Sequence, residues 1–346
     1  MTDRPSAGIR ILVTGARGFV GRHLVAALQA DGAGVDGLDR PLPAAAAETA
    51  AAAGAADPPW LIHQRELGAP SADGSAAHHP DGRVLAELLA AGRYAAVYHL
   101  AGQSSAGASF RDPAGTVQAN LLGTLELLEA LRQLAAASLP VPRALVVGSA
   151  EEYGAAARPD RPCREEDPVL PLSPYATSKA AATLLCRQYH RAFDLPVIAV
   201  RAFSHTGPGQ DRRFVFPDFA AQIAACEAGR QEPVLRTGDL TPARDFLDVR
   251  DVVAAYAALV AHGRPGHIYN VCSGSALTIR EGLEILLGLS SIRVQIVPEA
   301  ARLRPADIAC LYGDPTALQT ATGWRPRRAF ADTLRDLLEA ARRNLS

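Results

Sequence analysis

Four side chains near the middle of the chain could do acid–base chemistry on an alcohol or a ketone: Ser149, Glu151, Tyr175 and Lys179. Tyr175 and Lys179 are four residues apart, so on a helix they share one face. A lysine ammonium beside a tyrosine favours the phenolate and is expected to lower the tyrosine pKa from about 10 toward neutrality. A serine hydroxyl nearby can bind the same substrate oxygen, so the set predicts a proton donor and acceptor for a carbonyl/alcohol pair. Because the Tyr-x-x-x-Lys spacing alone is common, this prediction depends on the elements around it.

The segments around these residues predict a strand end and a helix start. The apolar run 144–147 is typical of a buried strand, which places Ser149 and Glu151 near its carboxyl end, where open α/β sheets bind ligands. Tyr175 begins a helix that we expect to run to about residue 193. The β-α alternation before it predicts a parallel sheet with helices on both faces.

A glycine-rich turn at the start of the chain predicts dinucleotide binding. A short apolar strand at 9–13 runs into the segment 14–21, and a helix follows at apolar helical spacing. Glycines at a strand-to-helix turn let the backbone approach a pyrophosphate, whose charge the helix N-terminus favours. The predicted cofactor contacts in this turn are Gly15, Arg17, Gly18, Phe19, Val20 and Gly21.

Two further places complete the predicted cofactor site. A strand at 95–100 ends in a small-residue loop with Leu100, Ala101 and Gly102, and a long helix predicted over 113–137 carries Asn120. Asp39, at the end of the second strand, is spaced to bind the adenosine ribose, which favours NAD. Arg40 and Arg17 could instead hold a 2′-phosphate, which favours NADP, or be solvated surface charges, so the preference stays open.

Composition sets the bounds. With 346 residues, 48% hydrophobic and 21% charged, the chain can form one large or two packed α/β domains. A net charge of −1 gives no support for nucleic-acid binding. Five widely spaced cysteines indicate neither a zinc site nor a disulfide framework and favour reduced thiols in the cytoplasm. We expect no metal site, because His78 and His79 have no further ligand at metal spacing. We also expect no membrane segment.

Together these motifs resemble the extended short-chain dehydrogenase/reductases that modify nucleotide sugars. The matching positions are Gly15-x-x-Gly18-x-x-Gly21, Leu100-Ala101-Gly102, Asn120-x-x-Gly123-Thr124, Ser149 and Tyr175-x-x-x-Lys179. The resemblance covers essentially the whole chain except two loops before residue 83. It implies a Rossmann-type doubly wound parallel sheet with a smaller interleaved carboxyl-terminal lobe, an NADP(H) or NAD(H) cofactor, and a homodimer.

Within that family the chain is most similar to the GDP-4-keto-6-deoxy-D-mannose reductases, which form GDP-D-rhamnose, with the GDP-mannose 4,6-dehydratases as a sister group. The matching segments are 148–154, 173–175, 201–210, 244–251, 269–274 and 303–307. The resemblance implies that Ser149 and Tyr175 hold the sugar C4 oxygen and that Lys179 binds the nicotinamide ribose. It also implies substrate contacts from Ser104, Glu151, His205, Arg244 and Arg304, the two arginines clamping the diphosphate. Surface ion pairs with Asp245 and Asp307 are the alternative for those arginines.

Glu151 leaves the reaction open, because it matches the glutamate that takes the C5 proton in dehydratases and is also kept in reductase-like sequences. Ala150 lacks the acid or serine that helps a dehydratase expel the 6-hydroxyl, and the 205–210 segment is reductase-like. Ser204 replaces an asparagine that many relatives carry, which leaves the details of the sugar pocket open.

We therefore expect reduction of the C4 ketone of a nucleotide-linked 4-keto-6-deoxyhexose, most similar to the GDP-linked case. The alternatives are a 4,6-dehydratase or 4-epimerase on the same scaffold, or a non-enzymatic cofactor-binding protein. We assign residues 1–201, with about 244–273, to the cofactor domain and 202–243 with 274–346 to the substrate lobe. Alanine- and leucine-rich helices at 113–137 and 174–193 suit pairing across a two-fold axis.

Overall fold

Two interleaved units make up the part of the chain that the computed structural model describes, residues 8–40, 61–64, 67, 82–302 and 308–345. The first unit runs to Gly148 and resumes at Ser173–Val200 and Tyr256–Ile268. The second comprises Ser149–Leu172, Arg201–Ala255 and the residues from Tyr269 onward. The assignment of cofactor and substrate to the domain ranges given above stays a prediction.

The elements alternate between strand and helix through the first half of the chain. The strands are β1 (Arg10–Thr14), β2 (Gly34–Asp39), β3 (Leu61–Gln64), β4 (Ala96–His99), β5 (Arg143–Ser149), β6 (Val197–Ala202), β7 (Ser204–Thr206), β8 (Val234–Thr237), β9 (Ala243–Arg244), β10 (Phe246–Asp248), β11 (Ile268–Val271), β12 (Leu277–Thr278), β13 (Gln295–Pro298) and β14 (Cys310–Leu311). The helices are α1 (Phe19–Ala30), α2 (Arg83–Gly92), α3 (Ala106–Ser109), α4 (Pro113–Val117), α5 (Gly123–Ala136), α6 (Pro174–Phe193), α7 (Val215–Glu227), α8 (Val249–His262), α9 (Ile279–Gly288), α10 (Thr316–Thr322) and α11 (Phe330–Arg343). A π-helical turn, Gln118–Leu122, joins α4 to α5, and Ala150–Glu152 forms a 3₁₀ turn after β5.

A seven-stranded sheet in the order β11-β6-β5-β4-β1-β2-β3 organises the first unit. β1 pairs in parallel with β2 and β4, β2 with β3, and β4 with β5. The chain therefore reverses direction across the sheet between β1 and β4, which is the order of a Rossmann-type fold. Ligands bind such sheets outside the carboxyl ends of the strands at this switch point, where Thr14 and His99 lie in register.

The apolar faces of these elements form the core of the first unit. Leu12, Val97 and Val146 from the sheet pack with Leu127 and Leu131 from α5, and all five are buried. Burial of these faces is what the apolar strand runs and the helical spacing predict. The predicted α/β fold is confirmed.

The second unit has two separate cores. One joins α7, α9 and α11 through Phe216, Ile223, Leu283, Leu334 and Leu338. The other lies behind the 3₁₀ turn and contains Tyr153, Phe203 and Cys272. Small sheets of two or three strands complete the unit, in the orders β10-β7, β12-β9-β14 and β13-β8.

The structure corrects several local predictions. The helix predicted over 113–137 is interrupted by the π turn, and β7, directly after β6, is a strand that the sequence does not predict. β7 forms because it pairs with β10, a contact more than forty residues away along the chain that no local pattern indicates. Helices α3 and α10 were not predicted. The loops predicted within 41–57 and most of 68–82, including the histidine pair at 78–79, lie outside the described residues.

Among the described helices, none has both the length and the apolar character needed to cross a membrane.

Candidate active site

The glycine turn after β1 has no room for a side chain at Gly15 or at Gly21. Gly15 has φ +71°, and a Cβ there would lie 2.8 Å from the Ala101 nitrogen and 2.9 Å from the Leu100 carbonyl carbon. A Cβ on Gly21 would lie 2.2 Å from the Gly15 carbonyl oxygen. Glycine is therefore required at these positions so that the turn, the loop after β4 and α1 can approach one another.

Asp39 fastens the end of β2 to this turn. Its Oδ2 accepts the backbone N–H of Arg17 at 2.8 Å, and its Oδ1 accepts that of Arg40 at 2.9 Å. Phe19 and Val20 begin α1 directly after the turn. The predicted ribose-binding acid thus lies beside the glycine turn, as the sequence predicts, and both of its oxygens already accept backbone donors.

The π turn places Asn120 between the loop after β4 and helix α6. Its Oδ1 accepts the Gln103 N–H at 2.8 Å and its Nδ2 donates to Ser178 Oγ at 2.9 Å. Gly102 has φ +150°, and a Cβ there would lie 2.5 Å from Asn120 Oδ1 and 3.4 Å from Lys179 Nζ. A single wide turn often marks a functional position in a helix, and here it points a buried amide at two elements of the site.

Helix α6 fixes Lys179 beside the fifth strand. The helix begins at Pro174 after Ser173, whose side chain accepts the Ala176 N–H at 3.1 Å, an N-cap followed by proline at the first position. Lys179 is 8% exposed, and its Nζ donates to the Val147 carbonyl at 2.9 Å. Tyr175 lies one turn earlier and is partly exposed. The ammonium is therefore held by strand β5, two residues before Ser149.

His99 is a buried neighbour of Lys179 that the sequence did not single out. It is 2% exposed, and its Nδ1 hydrogen-bonds Thr14 Oγ1 at 2.9 Å. Burial, followed by the Lys179 ammonium, lowers the pKa of His99 to about 3. The imidazole is therefore neutral at physiological pH and adds no positive charge next to Lys179. The available signal was its place at the end of a predicted strand.

Tyr256, on α8, was also missed. Its side chain is fully buried in the first unit, and its hydroxyl has no hydrogen-bond partner among the residues that the structure describes. Burial raises the pKa of this phenol, with a smaller contribution from Tyr175. A buried tyrosine in an apolar helix face gives no sequence signal that separates it from core packing.

Ser149 ends β5 and opens the second unit. Its Oγ accepts the Glu151 N–H at 3.2 Å, and its own N–H donates to Glu152 Oε1 at 2.9 Å. Because the oxygen already accepts a bond, the hydroxyl hydrogen remains to be donated to a substrate. Glu151 is partly exposed, whereas Glu152 is fully buried. Glu152 was missed, although Ser-x-x-Glu is the spacing of a capping box.

The other predicted substrate residues are placed as follows. Ser104 is exposed in the loop after β4. In the second unit, His205 lies in β7 with its Nδ1 donating to the Phe203 carbonyl at 2.8 Å. Arg244 lies in β9 and its Nη1 donates to the Ala243 carbonyl at 2.8 Å, while Asp245 accepts from Ser273 and Gly274. Arg304 lies outside the described residues.

Within the first unit the structure brings together the glycine turn, the loop after β4, Asn120 and Lys179. A turn that requires bare backbone at a sheet's switch point, with a Tyr-Lys helix beside the same loop, defines the class of a dinucleotide-binding oxidoreductase.

Comparison with known proteins places the chain within that class. A family described as GDP-mannose 4,6 dehydratase matches residues 12–337, and the chain belongs to this family. The predicted membership among nucleotide-sugar-modifying dehydrogenase/reductases is confirmed.

One relative and two solved structures are similar to the chain over nearly its whole length. The chain is 38% identical to GDP-6-deoxy-D-mannose reductase from Pseudomonas aeruginosa over 334 residues, 95% of this chain and 96% of the relative. The structure of RMD from Pseudomonas aeruginosa complexed with NADPH matches with a TM-score of 0.76 and 37% identity, over 97% of this chain and 99% of RMD. The structure of UDP-glucose 4-epimerase from Thermus thermophilus, complexed with NAD, matches with a TM-score of 0.76 and 27% identity, over 96% of this chain and 99% of the epimerase.

Proposed function

We propose that this protein reduces the C4 ketone of a nucleotide-linked 4-keto-6-deoxyhexose, converting GDP-4-keto-6-deoxy-D-mannose to GDP-D-rhamnose with NADPH or NADH. The observation that carries the proposal is the hydrogen bond from Lys179 Nζ to the Val147 carbonyl of β5, next to the loop after β4, where a Cβ added to Gly102 would lie 3.4 Å from the same Nζ. It brings the Tyr-Lys helix to the edge of the sheet where a dinucleotide binds. The 38% identity to a GDP-6-deoxy-D-mannose reductase supports the choice of substrate.

The residues of the first unit fit a nicotinamide dinucleotide. The glycine turn leaves bare backbone where a pyrophosphate needs close approach, and the positive end of α1 favours its charge. Asp39 lies beside the glycine turn and is proposed to bind the adenosine ribose, and Asn120 and Lys179 border the loop after β4. When bound, the cofactor would supply the hydride. Every other part of the chemistry falls to side chains of this chain.

Tyr175 is the proposed acid. As negative charge develops on the C4 oxygen, Tyr175 donates its proton to that oxygen, and the Lys179 ammonium stabilises the phenolate that remains. Neutral His99 adds no competing positive charge beside Lys179. The lowered pKa of Tyr175 itself stays a prediction.

Ser149 is the proposed second donor. Its oxygen accepts the Glu151 N–H, which leaves the hydroxyl hydrogen available for a bond to the same C4 oxygen. Arg244 and Arg304 are proposed to bind the diphosphate, and Ser104, Glu151 and His205 to contact the sugar nucleotide. Guanidinium groups suit the diphosphate because their planar donors match two oxygens at once.

The protein is proposed to act as a homodimer in the cytoplasm. Leu184, on α6, is 58% exposed, and it borders a groove with Arg187, Gln188, Arg191 and Ala192 that contains none of the predicted site residues. An exposed leucine on a long helix supports self-association across this face. All five cysteines are free thiols and four of them are buried, which suits a reducing compartment.

A 4,6-dehydratase is the second candidate, because the family carries that name and Glu151 has the spacing of its C5 base. The reductase is favoured because Ala150 is 3% exposed and offers no polar group for expelling a 6-hydroxyl.

Incubation of the purified protein with two substrates separates the candidates. With GDP-4-keto-6-deoxy-D-mannose and NADPH we expect one NADPH consumed for each GDP-D-rhamnose formed. With GDP-mannose alone we expect no product. A 4-keto sugar formed from GDP-mannose without added NADPH would exclude the reductase. Parallel assays with UDP-, CDP- and dTDP-linked 4-keto sugars measure the preference for the base.

A further inference from the structure

A buried ion pair lies behind Ser149 in the second unit. Glu152 is 0% exposed and Arg201 is 3% exposed, and Glu152 Oε2 accepts from Arg201 Nε at 2.9 Å. Charged residues are rarely buried unless they are paired, and even a good buried pair is often no more stable than apolar side chains of the same size. Stability alone therefore does not account for this pair.

The second oxygen of the same carboxylate reaches Ser149. Glu152 Oε1 accepts the Ser149 N–H at 2.9 Å, and the Glu151 N–H returns to Ser149 Oγ at 3.2 Å, which closes the 3₁₀ turn. One carboxylate thus holds Arg201 with one oxygen and Ser149 with the other. Glu152 therefore holds the backbone of Ser149, while the Glu151 N–H holds its Oγ.

Arg201 is itself fixed on several sides. Its Nη1 donates to the Glu165 carbonyl at 3.0 Å, and its guanidinium carbon lies 4.6 Å from the centre of the Tyr153 ring. Tyr153 is fully buried and donates its hydroxyl to Asn270 Oδ1 at 2.7 Å. The ion pair is therefore anchored in the core of the second unit rather than free to adjust with solvent.

We propose that Glu152 and Arg201 are positioning residues that hold Ser149 with its hydroxyl hydrogen presented to the C4 oxygen of the sugar. The inference rests on the proposed ketone reduction, because it names what aims one of the two donors at the oxygen. A donor stabilises developing charge best when it is already in place before the reaction. Loosening Ser149 therefore lowers kcat more than it raises KM.

The pair variant Glu152→Leu/Arg201→Met tests this directly, because it replaces both charges and leaves neither unpaired. We expect kcat to fall about 100-fold, as for loss of one such donor in Ser149→Ala. The affinity for NADPH should not change. Adding Ser149→Ala to the pair variant should cause no further loss, since both changes remove the same donor.

A second ion pair of this unit provides the matched control. Glu227 and Arg342 form a two-pronged pair with N–O distances of 2.8 Å between α7 and α11. Glu227→Leu/Arg342→Met should alter the melting temperature and leave kcat at the wild-type value. The inference is overturned if the Glu152/Arg201 variant keeps wild-type kcat, or if Ser149→Ala multiplies the loss in that variant.

Hydrogen exchange at the Ser149 amide gives a readout that needs no substrate. Exchange should become faster in the pair variant, and an unchanged rate contradicts the inference. If the wild type reduces no 4-keto sugar, the proposed function fails while this exchange still decides whether the ion pair holds Ser149. If the pair variant does not fold, Glu152→Gln takes its place. An NH₂ group then replaces one of the two carboxylate oxygens, so Ser149 or Arg201 faces a donor where it had an acceptor, and faster exchange is again expected.

Discussion

At the scale of single residues, the chemistry depends on one ammonium held in a fixed place. Lys179 is bound by the Val147 carbonyl and lies next to His99, which burial keeps neutral. Tyr175, one helical turn away, is the side chain that this ammonium is proposed to make acidic. The two proposed donors, Ser149 and Tyr175, would handle only the protons at the C4 oxygen, because the cofactor would supply the hydride.

Tyr175→Phe removes the proposed acid while keeping the ring. We expect kcat to fall by about 10²- to 10⁴-fold, the usual contribution of a general acid, with the dissociation constant for NADPH unchanged. Tyr189→Phe is the matched control, because it lies on the same helix and its hydroxyl bonds Glu129. Turnover of Tyr175→Phe equal to that of the control would exclude Tyr175 as the acid.

His99 makes the stability of the first unit depend on pH. Its pKa in the folded protein, about 3, is below the value of about 6.5 in an unfolded chain. The unfolded chain therefore binds a proton that the folded protein does not, so the stability present above pH 6.5 is lost as the pH falls toward 3. Between pH 6.5 and 4.5 this amounts to about 2.5 kcal/mol of unfolding free energy.

Denaturant titrations of the wild type and His99→Asn over this range measure the effect. The wild type should lose stability more steeply with falling pH than the variant does. Equal slopes for the two proteins would contradict the assignment of a buried neutral imidazole.

At the scale of elements, the local rules explain which parts were predictable. Strand β1, the glycine turn and α1 follow from an apolar run, glycine spacing and helical periodicity, and the structure has them where the sequence predicts. The π turn at 118–122, the strand β7 and the role of Glu152 depend on partners that are distant in sequence. Hydrogen bonds with Gln103 and Ser178 orient the Asn120 side chain, and β7 forms by pairing with β10. Periodicity carries no information on such partners, so these features needed the structure.

Gly21→Ala tests the turn between β1 and α1. The added Cβ would meet the carbonyl oxygens of Gly15 and Ala16 at 2.2 and 2.7 Å, so the helix must move away from the turn. We expect a loss of about 1–3 kcal/mol in stability from overpacking, and at least about tenfold weaker NADPH binding.

Gly34→Ala is the control for this prediction, because its nearest contacts would be at 3.7 Å, an ordinary distance. Thermal unfolding and fluorescence titration with NADPH measure both variants. Wild-type NADPH affinity in Gly21→Ala would show that the close approach at this turn is not needed for binding.

At the scale of the whole molecule, the chain crosses repeatedly between two units. Ser149 is the first residue of the second unit and the last residue of β5, the strand that binds Lys179 through Val147. The chain shares its fold with a reductase and with an epimerase, so a few side chains rather than the architecture decide the reaction.

Self-association through α6 is a prediction at this scale. Leu184→Asp places a charge on the exposed face of the helix and should convert a dimer into a monomer in sedimentation experiments. Ile296→Asp, on an exposed strand of the second unit, is the control and should leave the mass unchanged. A dimer that persists in Leu184→Asp would exclude this face as the interface.

A deuterium label tests most directly whether a hydride passes from NADPH to C4 of the sugar. The purified protein is incubated with GDP-4-keto-6-deoxy-D-mannose and NADPH carrying deuterium at the transferable position, and the sugar product is analysed by NMR. We expect deuterium at C4 of a GDP-6-deoxyhexose, one atom for each NADPH consumed. A product without deuterium at C4, or conversion of GDP-mannose to a 4-keto sugar with no NADPH consumed, would contradict the proposed reduction.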